Sequence, residues 1–514
     1  MAGSTRPRQQ KLNQYVKKNE QGRSREGEKR RPFNHASKPV RAKPKFHRAG
    51  GFSTFQLRLV HSILAEVLTE GRPLDKAYAL YFAKVKLDAA EQGFIIKQVN
   101  NMLRRLSFYA YAANLKRPSD FARHINRLIT CYCADKDWPV PELDCGEGFD
   151  RSHLKQRLGQ ARNDVLLNQG CPIWLNELGQ KELKDEWPAE RLALSAEPRR
   201  FIRCNTLKGD RDALASRLSA EGVVTRSVKD IKTALEVTSS CALFRTECFK
   251  EGLFEQQDAG SQLIAPFCEV KPHQRVIDAC AGAGGKTLHL AALMQGRGQL
   301  IALDTAKWRL DELKKRAKRA GAFNIEVRHI DSSKVIKRLD KQGDCVLIDA
   351  PCSGTGVLRR TPDGKWRDST AYIKELRQIQ ADILKRYSKM VKPGGLLVYS
   401  TCSILPSENV EQVKAFLTAN PEFTLVEDKQ LLPSMGYDGF YMAKMRRAEA
   451  EAPVKTEGEA ADTADSAAAA ETEADEAPIP AAEDALSAPE TVEANEAAAK
   501  SSDDLKKNQG TNQA

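Results

Sequence analysis

Long apolar runs are missing from this 514-residue chain. No stretch reaches the roughly 18 apolar residues that a membrane-spanning helix needs, which excludes a helical membrane protein. The N-terminus is basic and polar and lacks the apolar segment of a secretory signal. Paired Cys-x-x-Cys frames are absent too, and Cys131-Tyr132-Cys133 has the wrong spacing for a zinc ribbon. No metal is expected. Most of the 12 cysteines read as small buried residues in a reducing compartment. A soluble, cytoplasmic protein is expected.

Charge is unevenly spread. Residues 1–50 carry net +12 and residues 448–514 net −13, so the body, 51–447, carries +14 of a total of +13. A basic body favours a polyanionic partner, most simply nucleic acid. Both tails have too few large apolar side chains to build a core and are expected to be disordered.

From Ser53 the apolar period is helical. One stripe runs through Phe55, Leu59, Val60, Ile63, Leu64, Val67 and Leu68 and is ended by Gly71-Arg72-Pro73. Similar stripes follow, giving an all-α domain over 53–180. Its exposed basic residues, such as Arg104, Arg105 and Lys116, are candidates for RNA contact. Over 185–255 the texture changes to a small α+β unit, with strands expected at 201–207, 223–224 and 234–237. From 256 to 447, strands at 275–277, 299–303, 325–328, 345–348 and 396–399 alternate with helices. That alternation indicates a mainly parallel, doubly wound α/β sheet.

A glycine-rich loop, Asp278-Ala279-Cys280-Ala281-Gly282-Ala283-Gly284-Gly285-Lys286-Thr287, follows the first of these strands. It lacks the first glycine of a nucleoside-triphosphate loop, since position 280 is cysteine, and it is not a Gly-x-Gly-x-x-Gly fingerprint. Three acids, Asp278, Asp304 and Asp331, stand after successive strands. An acid after the second strand suits ribose hydroxyls. Acids without an anion cradle fit an adenosine cofactor without phosphates, S-adenosylmethionine.

Two further strands lead into cysteine motifs, Asp349-Ala350-Pro351-Cys352-Ser353-Gly354-Thr355-Gly356 and Ser400-Thr401-Cys402-Ser403. Cysteines at that sheet edge suit chemistry on a pyrimidine. A thiolate adding to carbon 6 of cytosine makes carbon 5 nucleophilic enough to take a methyl group. Asp349 is placed to favour the charge that develops at N3. A second cysteine beside the ring serves as base or assists release. Chemistry alone does not decide which cysteine attacks.

The chain from about Pro198 to Met445 resembles the Nop/Sun family of RNA 5-methylcytosine methyltransferases. Besides the two cysteine motifs, the resemblance rests on Arg203-Cys204-Asn205-Thr206-Leu207-Lys208 and Gln257-Asp258-Ala259-Gly260-Ser261. It continues through Arg359-Arg360-Thr361-Pro362-Asp363 with Lys365-Trp366, and through Asp438-Gly439-Phe440. It implies a Rossmann-like methyltransferase domain in which Cys402 is the nucleophile and Cys352 aids release, with Asp349 and Lys286 beside them. It also implies that Ala281, Gly282, Ala283, Gly284, Gly285, Lys286, Asp304, Arg309, Asp331 and Asp349 hold S-adenosyl-L-methionine. The helical segment resembles the NusB-like RNA-binding module of small-subunit rRNA methyltransferases in this family, which points to 16S rRNA and a monomeric enzyme. One departure stands out: the family's Ala-Pro-Gly-Gly-Lys is Gly282-Ala283-Gly284-Gly285-Lys286 here, and losing the proline frees a fixed φ. A tRNA-directed enzyme of the same chemistry and a non-catalytic RNA-binding assembly factor are the alternatives.

Overall fold

The computed structural model describes residues 50–367 and 369–449. The tails expected at 1–50 and 448–514 lie outside them, apart from residues 50, 448 and 449. No helix among the described residues is long and apolar enough to cross a membrane.

Helices come first, from Thr54 to Ser195. Thr54–Thr69 starts where Ser53 and Gln56 cap each other: Gln56 N donates to Ser53 Oγ at 3.2 Å and Ser53 N to Gln56 Oε1 at 3.0 Å. Its inward stripe, Leu59, Val60, Ile63, Leu64 and Val67, packs with Val99, Met102, Leu103, Leu128, Ile129 and Tyr132 of later helices. Phe55, assigned to that stripe from sequence, is instead half exposed because it lies on the helix's first turn, beyond the core.

Four antiparallel strands follow: β1 (Arg200–Cys204), β2 (Thr225–Ser227), β3 (Ala234–Val237) and β4 (Phe254–Gln256), in the order β2-β3-β1-β4. The strand expected at 223–224 begins two residues later. Val223 buries into the core and Val224 faces solvent, ahead of the paired segment.

The rest of the chain forms a seven-stranded sheet. Its strands are β5 (Arg275–Asp278), β6 (Gln299–Asp304), β7 (Ile325–His329), β8 (Gly343–Asp349), β9 (Val391–Thr401), β10 (Phe423–Leu431) and β11 (Phe440–Arg447), in the order β10-β11-β9-β8-β5-β6-β7. Strands β5 to β9 are parallel; β11 runs antiparallel to β9 and to β10. The central strands are buried on both faces, as near-continuous apolar runs such as Cys345-Val346-Leu347-Ile348 dictate. This is the doubly wound α/β class expected from the alternation, and the Rossmann-like domain that the family resemblance implies. Strand order reverses between β5 and β8, so the crevice for a ligand opens at their carboxyl ends.

Long-range polar joints lock these parts together. Glu255 of β4 meets Arg316 at 3.0 Å and Arg319 at 2.6 Å on the helix Lys307–Ala320. Against the upward push of complete burial, the two guanidiniums hold the Glu255 carboxyl below its ordinary value. The segment Arg359–Trp366 is the seam with the helical region. Arg104 donates to the Arg359 carbonyl at 2.8 Å, Trp366 Nε1 to Leu103 O at 2.6 Å, and Leu74 N to Asp363 Oδ2 at 3.2 Å. Arg104 is therefore buried in this seam and is not a surface contact for RNA. Arg105 lies over the Phe108 ring at 4.0 Å and pairs with Asp135 at 3.2 Å, while Lys116 is exposed.

Candidate active site

The glycine loop leaves β5 at the switch point and turns back into the helix Gly285–Leu293. Gly282 and Gly284 have φ of +55° and +99°, left-handed values that favour glycine. A Cβ on Gly284 would lie 2.2 Å from Leu313 Cδ1, whereas one on Gly282 would meet nothing within 4 Å. Gly284 thus lets the loop close onto the helix Lys307–Ala320, and Gly282 leaves it open to a ligand. The loop is pinned although position 283 is alanine. Arg316 donates to Ala283 O at 2.9 Å, Ala281 N donates to Leu303 O at 2.8 Å, and Arg203 Nη1 donates to Gly285 O at 2.6 Å.

Of the strand-terminal acids, Asp304 accepts from Gly282 N at 2.9 Å and Ala306 N at 2.7 Å, which orients its carboxylate beside the loop. Asp278 is buried and accepts from Thr287 Oγ1 at 2.8 Å through one oxygen, while its other oxygen has no hydrogen-bond partner. Burial, with the charge of Asp349 adding to it, pushes the Asp278 carboxyl up to about 7. Asp331 is exposed just past β7, accepting from Ser332 Oγ at 3.1 Å. Arg309 stands on the helix that follows Asp304, its guanidinium 5.3 Å from the Trp308 ring. Open space at Gly282, an unpartnered carboxylate oxygen at Asp278 and an acid after each of three strands fit a cofactor with hydroxyl and amino donors.

Across the switch point, Lys286 Nζ lies 2.6 Å from Asp349 Oδ2 at the end of β8. The other Asp349 oxygen accepts from Ser400 Oγ at 2.8 Å, since Asp349 and Ser400 are cross-strand partners of β8 and β9. Three residues past Asp349 and two past Ser400, the Cys352 and Cys402 sulfurs approach to 3.3 Å. The contact with the Cys402 sulfur, with burial next, pushes the Cys352 thiol well above its ordinary value. Cys352 is thereby held as the protonated thiol, which is a poor nucleophile. Cys402 is the more open of the two, at 7% exposure against 2%. The site thus brings together Lys286, Asp349, Cys352 and Cys402, with the loop 281–286 and Asp304 on its β5–β6 side and Asp331 further out.

Sequence reasoning missed the groups beneath the cysteines. Glu408 is fully buried and accepts four hydrogen bonds. They come from Ser353 N at 2.9 Å, Ser353 Oγ at 2.5 Å, Ser403 Oγ at 2.6 Å and Gln380 Nε2 at 3.0 Å. Thr355 Oγ1 lies 3.0 Å from Ser403 Oγ, and Gly356 N donates to Cys402 O at 2.9 Å. The one sequence signal for Glu408 was an acid six residues past Cys402, and a helix-start acid reads the same way. Other motif residues are joints of the fold. Asn205 Nδ2 donates to Gly252 O and Ala320 O, both at 2.8 Å. Asp438 pairs with Arg359 at 2.9 Å and with Arg360.

Residues 265–446 match the family model described as 16S rRNA methyltransferase RsmB/F. Residues 171–243 match the ferredoxin-like domain model of RsmF/B-like methyltransferases. The ribosomal RNA small subunit methyltransferase B of Pseudomonas putida is 32% identical over 336 residues, 62% of this chain and 76% of that one. The probable counterpart of Bacillus subtilis is 34% identical over 269 residues, 49% of this chain and 60% of that one. The alignments thus span about three fifths to three quarters of these relatives' lengths. Among solved structures, PH0851 superposes with a TM-score of 0.62 at 23% identity, covering 76% of this chain and 98% of that one. That likeness is one of fold. With 32% identity to a relative over 76% of that relative's length, the chain belongs to the family of 16S rRNA methyltransferases RsmB/F.

Proposed function

We propose that this protein transfers a methyl group from S-adenosylmethionine to carbon 5 of a cytosine in small-subunit rRNA, through a covalent bond between Cys402 and the base. The observation that carries the reading is the pair of sulfurs 3.3 Å apart at the ends of β8 and β9, beside the Lys286–Asp349 pair at the switch point. The loop 281–286, Asp304, Asp331 and Arg309 hold the cofactor, whose sulfonium supplies an electrophilic methyl group.

The thiolate of Cys402 adds to carbon 6, and electron density moves to carbon 5 and N3. The Asp349–Lys286 pair steadies the base on its N3 side, as a proton-bridged couple can. Once carbon 5 carries both methyl and hydrogen, that hydrogen is lost as a proton to solvent water. The carbon 5–carbon 6 double bond re-forms and the Cys402–carbon 6 bond breaks. Cys352, held as a thiol against Cys402, protonates or shields the departing thiolate and so aids release. Carbon 6 is out of reach inside a stacked helix, so the target cytosine must be unpaired or flipped.

We take 256–447 as the catalytic domain, and 53–180 and 185–255 as the parts that bind RNA. The net +14 of the body supports a phosphate backbone as partner, and twelve free thiols suit the reducing cytoplasm. Incubation with rRNA containing 5-fluorocytosine tests the chemistry, because fluorine at carbon 5 cannot leave as a proton and the adduct is trapped. Peptide mapping is expected to find RNA on Cys402. An adduct on Cys352 reverses the two roles, and no adduct in the presence of cofactor removes the covalent mechanism.

A further inference from the structure

Beneath the two cysteines, one buried carboxylate spans both loops. Glu408 takes Ser353 N, Ser353 Oγ and Gln380 Nε2 from the side of the Cys352 loop, and Ser403 Oγ from the side of the Cys402 loop. Gln380 reaches the same loop a second time, donating to Pro351 O at 3.0 Å. The backbone of Glu408 is itself fixed, because Tyr399 of β9 donates its hydroxyl to the Glu408 carbonyl at 2.8 Å. Ser353 and Ser403 are the residues directly after the two cysteines. Each serine also accepts from a backbone amide, Thr355 N at 3.3 Å and Leu405 N at 3.0 Å. Glu408 thus reaches the residues after both cysteines through hydrogen bonds to a carboxylate, and such charge-assisted bonds are about twice as strong as neutral ones.

A buried carboxylate is costly unless such donors surround it. Here three of its four bonds go to two loops that belong to different strands, and the fourth goes to Gln380 on the helix Thr370–Tyr387. The sulfurs themselves need a fixed separation: far enough apart for a base to sit on Cys402, close enough for Cys352 to act when Cys402 leaves. Nothing covalent fixes that separation. We propose that Glu408 is a positioning residue that sets the Cys352–Cys402 geometry and thereby the release of the RNA. This inference rests on the covalent mechanism proposed above.

Glu408→Gln is the direct test, since the amide keeps the shape and can retain the bonds from Ser353 N and Gln380. The two serine hydroxyls would then face an NH2 in place of an anionic oxygen. On cytosine-containing rRNA with cofactor, the variant is expected to lose kcat by roughly 10²-fold, the cost of a misplacement near 1 Å, with KM for RNA falling alongside so that kcat/KM stays near the wild-type value. A standing Cys402–RNA adduct should accumulate as it does so. In a Cys352→Ala background the same substitution should add little, because both act at one step. A purely structural role would instead lower adduct and turnover together, in both backgrounds. Folded Glu408→Gln with wild-type kcat, or a loss undiminished in the Cys352→Ala background, overturns the proposal. If the amide is not accommodated in the fold, Ser403→Ala, which removes one tether and leaves the carboxylate, carries the same comparison. Wild-type protein that forms no Cys402 adduct with 5-fluorocytosine rRNA overturns the functional reading itself, and that control separates the two failures.

Discussion

Lys286 Nζ sits 2.6 Å from Asp349 Oδ2, tying the first turn of the helix after the glycine loop to the last residue of β8. The glycine-loop side and the cysteine side of the crevice are thus joined by an ion pair. Replacing Lys286 by methionine keeps much of the volume and removes the charge. Methyl transfer is expected to fall by roughly 10²-fold or more, the usual range for a lost proton-handling group, while the melting temperature moves little. Steady-state assays with calorimetric melting check this; unaltered kcat would show the pair to be structural.

The two left-handed glycines should separate folding from ligand binding. At Gly284 an added methyl collides with Leu313, so Gly284→Ala is expected to cost about 1–3 kcal/mol of stability. Gly282→Ala meets open space and should cost only about 1 kcal/mol from its left-handed backbone. Its affinity for S-adenosylmethionine should drop further than that, because the methyl enters the space facing the ligand. Thermal melts and calorimetric titration of both variants decide it. Equal cofactor affinity for Gly282→Ala and wild type would move the ligand off the loop.

Burial pushes the Lys365 ammonium down from 10.5 to about 8, at the seam where it donates to Arg104 O at 3.4 Å and Gly170 O at 3.3 Å. Below pH 8 the folded and unfolded chains both hold the proton, and the cost of burying the charge is fully present. Between about pH 8 and 10.5 the folded chain gives it up first, so stability gains on the order of 3 kcal/mol as pH rises. Lys365→Met has no such gain. Urea unfolding of both proteins from about pH 7.5 to 9.5 should show the difference between them changing in favour of wild type. Parallel profiles would place Lys365 in a wetter environment.

Cys352→Ala removes the thiol that lies against Cys402. The variant is expected to methylate and then fail to let go. Denaturing gels should show protein–RNA adduct with ordinary cytosine, without fluorine to trap it. Clean turnover at the wild-type rate would leave Cys352 without a role in release.

The chemistry of this site was legible because its groups sit in short motifs at strand ends, where an apolar β-branched run announces the position. Asp349, Cys352, Cys402 and the glycine loop could each be placed from neighbouring residues alone. What escaped depends on partners far away in sequence. Arg104 lies on the charged side of a helical pattern, yet it is buried because the carbonyl of Arg359, 255 residues on, takes its guanidinium. Glu408 looks like a helix-start acid until Ser353, 55 residues earlier, folds against it. Strand β10 was invisible for another reason. As an edge strand it buries only Phe423 and Leu431 at its ends, so no apolar alternation marks it.

The central claim is covalent methylation of rRNA cytosine through Cys402. The measurement is transfer of tritiated methyl from S-adenosylmethionine to small-subunit rRNA and, separately, tRNA, both from cells lacking this protein, with Cys402→Ala alongside. Label in 5-methylcytosine of small-subunit rRNA, absent with Cys402→Ala, is the expected result. Label in that rRNA undiminished by Cys402→Ala would contradict the mechanism, and label confined to tRNA would contradict the substrate.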